Sequence, residues 1–111
     1  MKVLYGVATV AAALLLAVSV TAQEAGEPRS GLKFALVHCA ECHAVKGSDA
    51  KSPNPSAPSF PSVANTRGIS GRALAVWLQT SHPTMPNSVI GTEDRNDVIA
   101  YIMSLRSPPP Q

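Results

Sequence analysis

The chain opens with an apolar run, VLYGVATVAAALLLAVSV over residues 3–20, behind a single positive residue, Lys2. A polar stretch with Gly and Pro follows, QEAGEPRS over residues 23–30, and reads as a flexible start. Leu32, Phe34, Ala35, Leu36 and Val37 then make a short apolar-rich block that predicts a helix over 31–42, with Ser30 as its cap. Residues 44–68 lose this periodicity. Pro53, Pro55, Pro58 and Pro61, with Gly47, predict a long loop, broken at most by short helical turns near 60–65. Ser70 is placed to cap a helix over 71–80, in which Leu74, Trp77 and Leu78 share one face and beyond which Pro83 forbids continuation. A second loop, TMPNSVIG, leads to Thr92, read as the cap of a third helix with Glu93 and Asp94 in its first turn. Val98, Ile102 and Leu105 form a stripe at helical spacing, with Ile99 and Tyr101 beside it. Arg106 closes the last turn, and Pro108, Pro109 and Pro110 end the helix. No internal repeat and no strand pattern emerges.

Length and composition change this picture in one respect. Lys2, the apolar run and the small residues ending at Ala22 have the layout of a secretory signal peptide cut after Ala22. The competing reading is an uncleaved membrane anchor, because about 20 apolar residues suffice to span a bilayer. No Cys follows the run, so a lipid-anchored lipoprotein is not expected. The folding unit is then residues 23–111. A chain this short buries only about 60–65% of its surface and commonly needs a staple. Aromatic residues make up 5% of the chain, and a disulfide between Cys39 and Cys42 would close too small a loop to help. Something other than side chains is expected to fill the centre. The formal charge of +2 comes without any run of Lys or Arg, which excludes a nucleic-acid partner.

Both cysteines and two of the three histidines sit in one hexapeptide, HCAECH, over residues 38–43. Three chemistries use such a motif. A thiol–disulfide pair belongs at a helix N-terminus after a strand, whereas this motif follows a helix and no strand is near. A zinc site needs four ligands, and beyond the motif only His82 and scattered acids remain. The third is covalent haem, for which Cys-x-x-Cys-His is the attachment pattern. Two thiols three residues apart lie about one helical turn from each other, so both reach one edge of a porphyrin, and His43 follows as the proximal ligand. Export and the underfilled core favour this third reading.

A second axial ligand must come from elsewhere in the chain. Met103 lies beside Ile102 in the last helix and reads as core. Met85 lies between Pro83 and Pro86, and the prolines reduce the entropy lost in holding a thioether in place. Met85 is the expected distal ligand. His82, three residues earlier, is the rival, and an imidazole there would lower the reduction potential.

Taken in order, Gly31 eight residues before Cys39, CAECHAV, APSF, the Leu-x-x-Trp-Leu helix, HPTMPN and DVIAYIMSLR resemble a class I cytochrome c of the small bacterial periplasmic monohaem type, over roughly Gly31 to Arg106. The resemblance implies an all-α fold, about three main helices plus long loops packed around one covalently bound haem c. It implies that the first and last helices cross closely, with Gly31 as the small residue at the crossing and Tyr101 as the aromatic against it. It implies that the carbonyl of Pro58 (or, less favoured, Pro55) accepts the ring N–H of His43. Trp77 would pack at the haem edge, with plain core packing as the alternative, and Asn87 would help hold the loop that carries Met85. One departure is visible: mitochondrial relatives carry a lysine-rich face, and only Lys33, Lys46 and Lys51 occur here after the first segment.

The reading that follows is a periplasmic electron carrier. Residues 1–22 form the signal peptide, 23–30 a flexible segment, 31–106 the cytochrome domain and 107–111 a Pro-rich tail. Cys39 and Cys42 hold the porphyrin, His43 and Met85 hold the iron, and Leu36, Leu74, Leu78, Val98 and Ile102 wall it from water. The protein works as a monomer on redox partner proteins and transforms no substrate. The alternatives are a haem-based sensor or peroxidase-like protein with a labile distal ligand, or the electron-accepting subunit of a dehydrogenase. Mass spectrometry of protein expressed in an exporting host is expected to find the mature chain beginning at Gln23; a retained residue 1 would favour the anchor instead.

Overall fold

The computed structural model describes residues 25–49, 51–80, 85 and 90–110. The apolar first segment, its cleavage point after Ala22, His82 and Asn87 lie outside the described residues. Four helices and no strand occur among the described residues: α1 (Pro28–His38), α2 (Phe60–Ala64), α3 (Gly71–Trp77) and α4 (Thr92–Ser104). The fold class is all-α. The turns expected near 60–65 have become the extra helix α2, started by Ser59, whose hydroxyl accepts the Ser62 N–H at 3.2 Å. Among the described residues no helix is long and apolar enough to cross a membrane.

The helix ends differ from expectation for local reasons. α1 begins at Pro28 because proline suits the first helical position, and Glu27, not Ser30, caps it, its carboxylate accepting the Arg29 N–H at 3.2 Å. It ends at His38 rather than residue 42. Cys39 is the C-cap, and the Cys42 and His43 N–H groups turn back onto the Cys39 carbonyl. α3 starts as expected at Ser70, which accepts the Ala73 N–H, but stops at Trp77. Beyond it Gln79 donates to the Ala75 carbonyl and Thr80 to the Val76 carbonyl, so side chains take over acceptors left by the end of the helix. Thr92 is the first residue of α4 and not its cap; the cap is Gly91, with no side-chain bond. Glu93 and Asp94 do occupy the first turn. Arg106 lies past the helix, where its guanidinium donates to the carbonyls of Ala64 and Ile69 and ties the end of α4 to α2.

The α1–α4 crossing is the most extensive helix contact. A Cβ built on Gly31 would collide with the Asp97 carbonyl and lie 2.8 Å from the Tyr101 Cβ, so only glycine permits this approach. The lead-in is docked on the same place: Gly26, at φ +151°, lies against the Asn96–Asp97 backbone, and the Glu27 N–H donates to Asp97 Oδ1 at 2.7 Å. α4 is the hub of the core. Val98 to Ile102 are all buried, and Ala35, Val45, Phe60, Ala64 and Leu74 pack around them. Tyr101 is buried and its hydroxyl donates to the Val45 carbonyl at 2.7 Å.

Burial, and secondarily the charge of Asp49, push the Tyr101 phenol above its ordinary value of 10.0. The folded state therefore holds this proton more tightly than the unfolded chain. The contribution is complete below about pH 10 and is lost as pH rises through the folded value. Tyr101→Phe is expected to cost about 1–3 kcal/mol in urea unfolding of the holoprotein, since it leaves the buried Val45 carbonyl unpaired, and to remove this alkaline loss. Gly31→Val is expected to cost at least about 3 kcal/mol, by overpacking the crossing.

Candidate functional site

The CAECH turn hangs from the end of α1 and is pinned from below by the following loop. The Asn54 N–H donates to the Cys42 carbonyl at 3.1 Å, and Ser52 Oγ accepts the Ala44 N–H at 2.9 Å. Asn54 in turn caps its own loop, its side chain accepting the Ser56 N–H and its carbonyl the Ala57 N–H. These bonds bring Pro58 next to the motif. His43 Nδ1 lies 2.7 Å from the Pro58 carbonyl oxygen. A carbonyl only accepts, so Nδ1 is the donor, and in the neutral ring the lone pair is on Nε2. Pro55 is exposed and makes no such bond. Phe60 follows: its N–H donates to the Ala44 carbonyl, and its ring lies between those of His43 (centroids 5.4 Å apart) and Tyr101 (6.4 Å).

A cavity of about 870 Å³ opens in front of this turn. Cys39, Cys42, His43, Pro58, Trp77 and Met85 all line it, so residues far apart in sequence meet at one place. Trp77 lines it with half its surface exposed. Leu74, Leu78, Val98 and Ile102 form apolar wall, as their spacing implies. Leu36 does not. It is 42% exposed and lies off the cavity. On α1 the face toward the cavity is that of Phe34 and His38, four residues apart and with rings 4.3 Å apart, and Leu36 points well away from it. Gly31 and Tyr101 lie outside the cavity, at the helix crossing. Phe60, Val63, Ile69 and Ile90 also line it and were missed from sequence. Phe60 alone carried a usable signal, as one of only two phenylalanines and two residues after Pro58.

No disulfide joins Cys39 and Cys42. Burial pushes the Cys39 thiol up to about 11. A redox-active thiol is shifted the other way, by positive neighbours or a helix N-terminus, so the setting does not suit thiol exchange. Among the described residues no three His, Cys, Asp or Glu side chains gather as a zinc site requires. The donor set instead fits a planar, mostly apolar group that carries a metal: two thiols on one turn, an imidazole with its lone pair available, a thioether, and apolar walls around a large cavity.

Comparison with known proteins agrees with that class. The family model for Cytochrome c matches residues 29–106, and the chain belongs to the cytochrome c family. It is a haem-based electron carrier whose cofactor is covalently bound haem c, and Cys39 and Cys42 stand in the family's attachment spacing. The chain is similar to Cytochrome c-552 of Bradyrhizobium diazoefficiens, with 36% identity over 103 residues that span 93% of this chain and 95% of the relative. No solved structure matches at a significant level.

Phe60→Ala removes the ring that touches both His43 and Tyr101 and is expected to destabilise the holoprotein by about 3–5 kcal/mol. Leu36→Ala, on the exposed side of α1, should change it by no more than about 0.5 kcal/mol. Denaturant unfolding followed by Trp77 fluorescence reads both.

Proposed function

We propose that the protein is an exported carrier of single electrons in the periplasm, with Cys39 and Cys42 holding the porphyrin and His43 and Met85 as the axial ligands of the iron. The observation that carries the reading is the bond from His43 Nδ1 to the Pro58 carbonyl inside a cavity also lined by both cysteines and Met85. When bound, haem c supplies a one-electron Fe(III)/Fe(II) couple.

The chain's own residues do the rest. The Pro58 carbonyl fixes the tautomer and orientation of His43 and raises the basicity of Nε2. Phe60 packs against the imidazole and limits its rotation. Leu74, Leu78, Val98 and Ile102 keep water from the centre, which with a thioether ligand favours a comparatively high potential. An imidazole held by a directional bond and a packed ring leaves little to rearrange when the charge changes. Trp77 packs along the edge of the group, and Asn87 steadies the loop bearing Met85. No substrate is transformed. The protein acts as a monomer, passing electrons between redox partner proteins. The apolar first segment, Lys2 and the small residues at 20–22 support export, with residues 31–106 as the working domain.

Visible and near-infrared spectra of the holoprotein test the ligation. The wild type is expected to show c-type bands, a methionine-to-iron charge-transfer feature when oxidised, and little binding of carbon monoxide when reduced. Met85→Ala should lose the charge-transfer feature and gain carbon monoxide binding, whereas Met103→Ala should do neither. Persistence of the feature in Met85→Ala would overturn the assignment, and loss of it in the His82→Ala variant alone would transfer the role.

A further inference from the structure

The cavity wall is not held in the same way on all sides. Leu74, Val98 and Ile102 come from α3 and α4, whereas Val63, Thr66 and Ile69 come from α2 and the short connection that follows it. Residues 65–68 of that connection are exposed. Gly68, at φ +79°, turns it in open space, with no atom within 4 Å of where a side chain would begin. The hydrogen bonds of residues 61–69 fall into two groups. Those made locally, such as Thr66 Oγ1 to the Ser62 carbonyl and the Ile69 N–H to the Thr66 carbonyl, span no more than four positions. They give the stretch its shape but do not place it. The others, among the described residues, all go to the end of α4 and the residues just after it. Asn65 Oδ1 accepts the Ser107 N–H at 2.9 Å, and Asn65 Nδ2 reaches the Leu105 carbonyl at 3.5 Å. From the other side, the Arg106 guanidinium donates to the Ala64 carbonyl at 3.3 Å and to the Ile69 carbonyl at 2.6 Å. Each side chain holds the backbone of the other's segment.

We propose that Asn65 and Arg106 form a clasp that positions this part of the wall, and that by keeping it shut against water they raise the reduction potential of the haem. This rests on the carrier reading and deepens it. Neither side chain lines the cavity, so both are positioning residues that act through Val63, Thr66 and Ile69. Fe(III) carries one more positive charge than Fe(II). Water admitted beside the group stabilises the more charged state more strongly, so an opened wall favours oxidation. Asn65 and Arg106 are themselves exposed, and an exposed residue without such a role is replaceable at little cost.

Spectroelectrochemical titration of the holoprotein against a reference couple tests this, with the methionine-to-iron charge-transfer feature followed in the same sample. Asn65→Ala removes both bonds from Asn65 to the end of α4 and no charge. It is expected to shift the equilibrium toward oxidised haem by about fivefold, the scale of one net hydrogen bond, with the charge-transfer feature retained. Arg106→Lys keeps the charge but loses the fork that spans two carbonyls, and should shift the equilibrium the same way by about threefold or more. It carries the same test should Asn65→Ala fail to hold haem. The double variant should exceed the larger single effect by less than about twofold, because either change frees the same wall. Glu27→Ala, which removes the cap of α1 away from the cavity, controls for plain loss of stability and should move the equilibrium by less than about 1.5-fold. Asn65→Ala that unfolds more easily in denaturant but leaves the equilibrium unmoved would reduce the clasp to a structural tie and overturn the proposal. So would loss of the charge-transfer feature, since the ligation rather than the wall would then have changed. A wild-type equilibrium in Arg106→Lys beside a shifted one in Arg106→Gln would assign the effect to charge and overturn it as well. A wild type with c-type bands but no reversible one-electron couple sinks the carrier reading; a couple that these variants do not move sinks the clasp alone.

Discussion

The backbones of α1 at Gly31 and α4 at Asp97 approach so closely that no side-chain carbon fits between them. The position of the site depends on that approach. With α4 fixed against α1, Tyr101 reaches across to the Val45 carbonyl. Val45 and Ala44 continue directly from CAECH, and Ala44 accepts the N–H of Phe60. Phe60 then packs on His43. Four contacts thus lead from a glycine at a helix crossing to an imidazole ring, and each is a backbone or buried contact with little freedom to adjust. A small protein with few aromatics needs such a chain, because its side chains alone bury too little surface to hold a ligand orientation by bulk packing.

Within the site, two kinds of constraint act on different groups. The His43 ring is fixed by a directional bond to Pro58 on one side and by ring packing on the other. The Cys39 thiol is governed by burial, which keeps it neutral and unlike an exchange-active thiolate. The loop beneath the motif carries no periodic pattern, yet several of its backbone donors are held, by acceptors on Cys42, Asn54, Lys46, Asp49 and Ser52. A stretch rich in proline has fewer N–H groups to satisfy, which helps a long loop wrap closely around a site.

Much of this was legible in the sequence, and what was not has physical causes. Cys-x-x-Cys-His declares itself because the spacing is dictated by the geometry of the attached group. Met85 stands out because prolines on both sides make sense of an apolar side chain in a loop. Gly31 and Tyr101 could be named from the resemblance, but the carbonyl of Asp97 that makes Gly31 irreplaceable could not, since it belongs to another helix. The helix ends were misjudged where side chains act over unexpected reach: Glu27 captures the start of α1, and Gln79 and Thr80 fold back on the end of α3. Leu36 was placed on the wall because an apolar residue near the motif invites it, and the phase set by Phe34 and His38 turns it outward. Phe60 was given no role of its own beyond its place in APSF, because its importance comes from contacts on both sides, with residues 17 positions before it and 41 after it.

The bond from Tyr101 to Val45 joins residues 56 positions apart, and Glu27 reaches 70 positions to Asp97. Such separations impose an order on synthesis. A ribosome that has made α1, the motif and α3 has made nothing that α1 can close upon, because its partner surface lies in the last helix. Local contacts alone cannot hold the incomplete chain, and closure of so long a loop must wait for residues 96–101. A nascent chain of this protein therefore stays open until almost its whole length has emerged, which is the state in which a polypeptide can be threaded through a narrow channel.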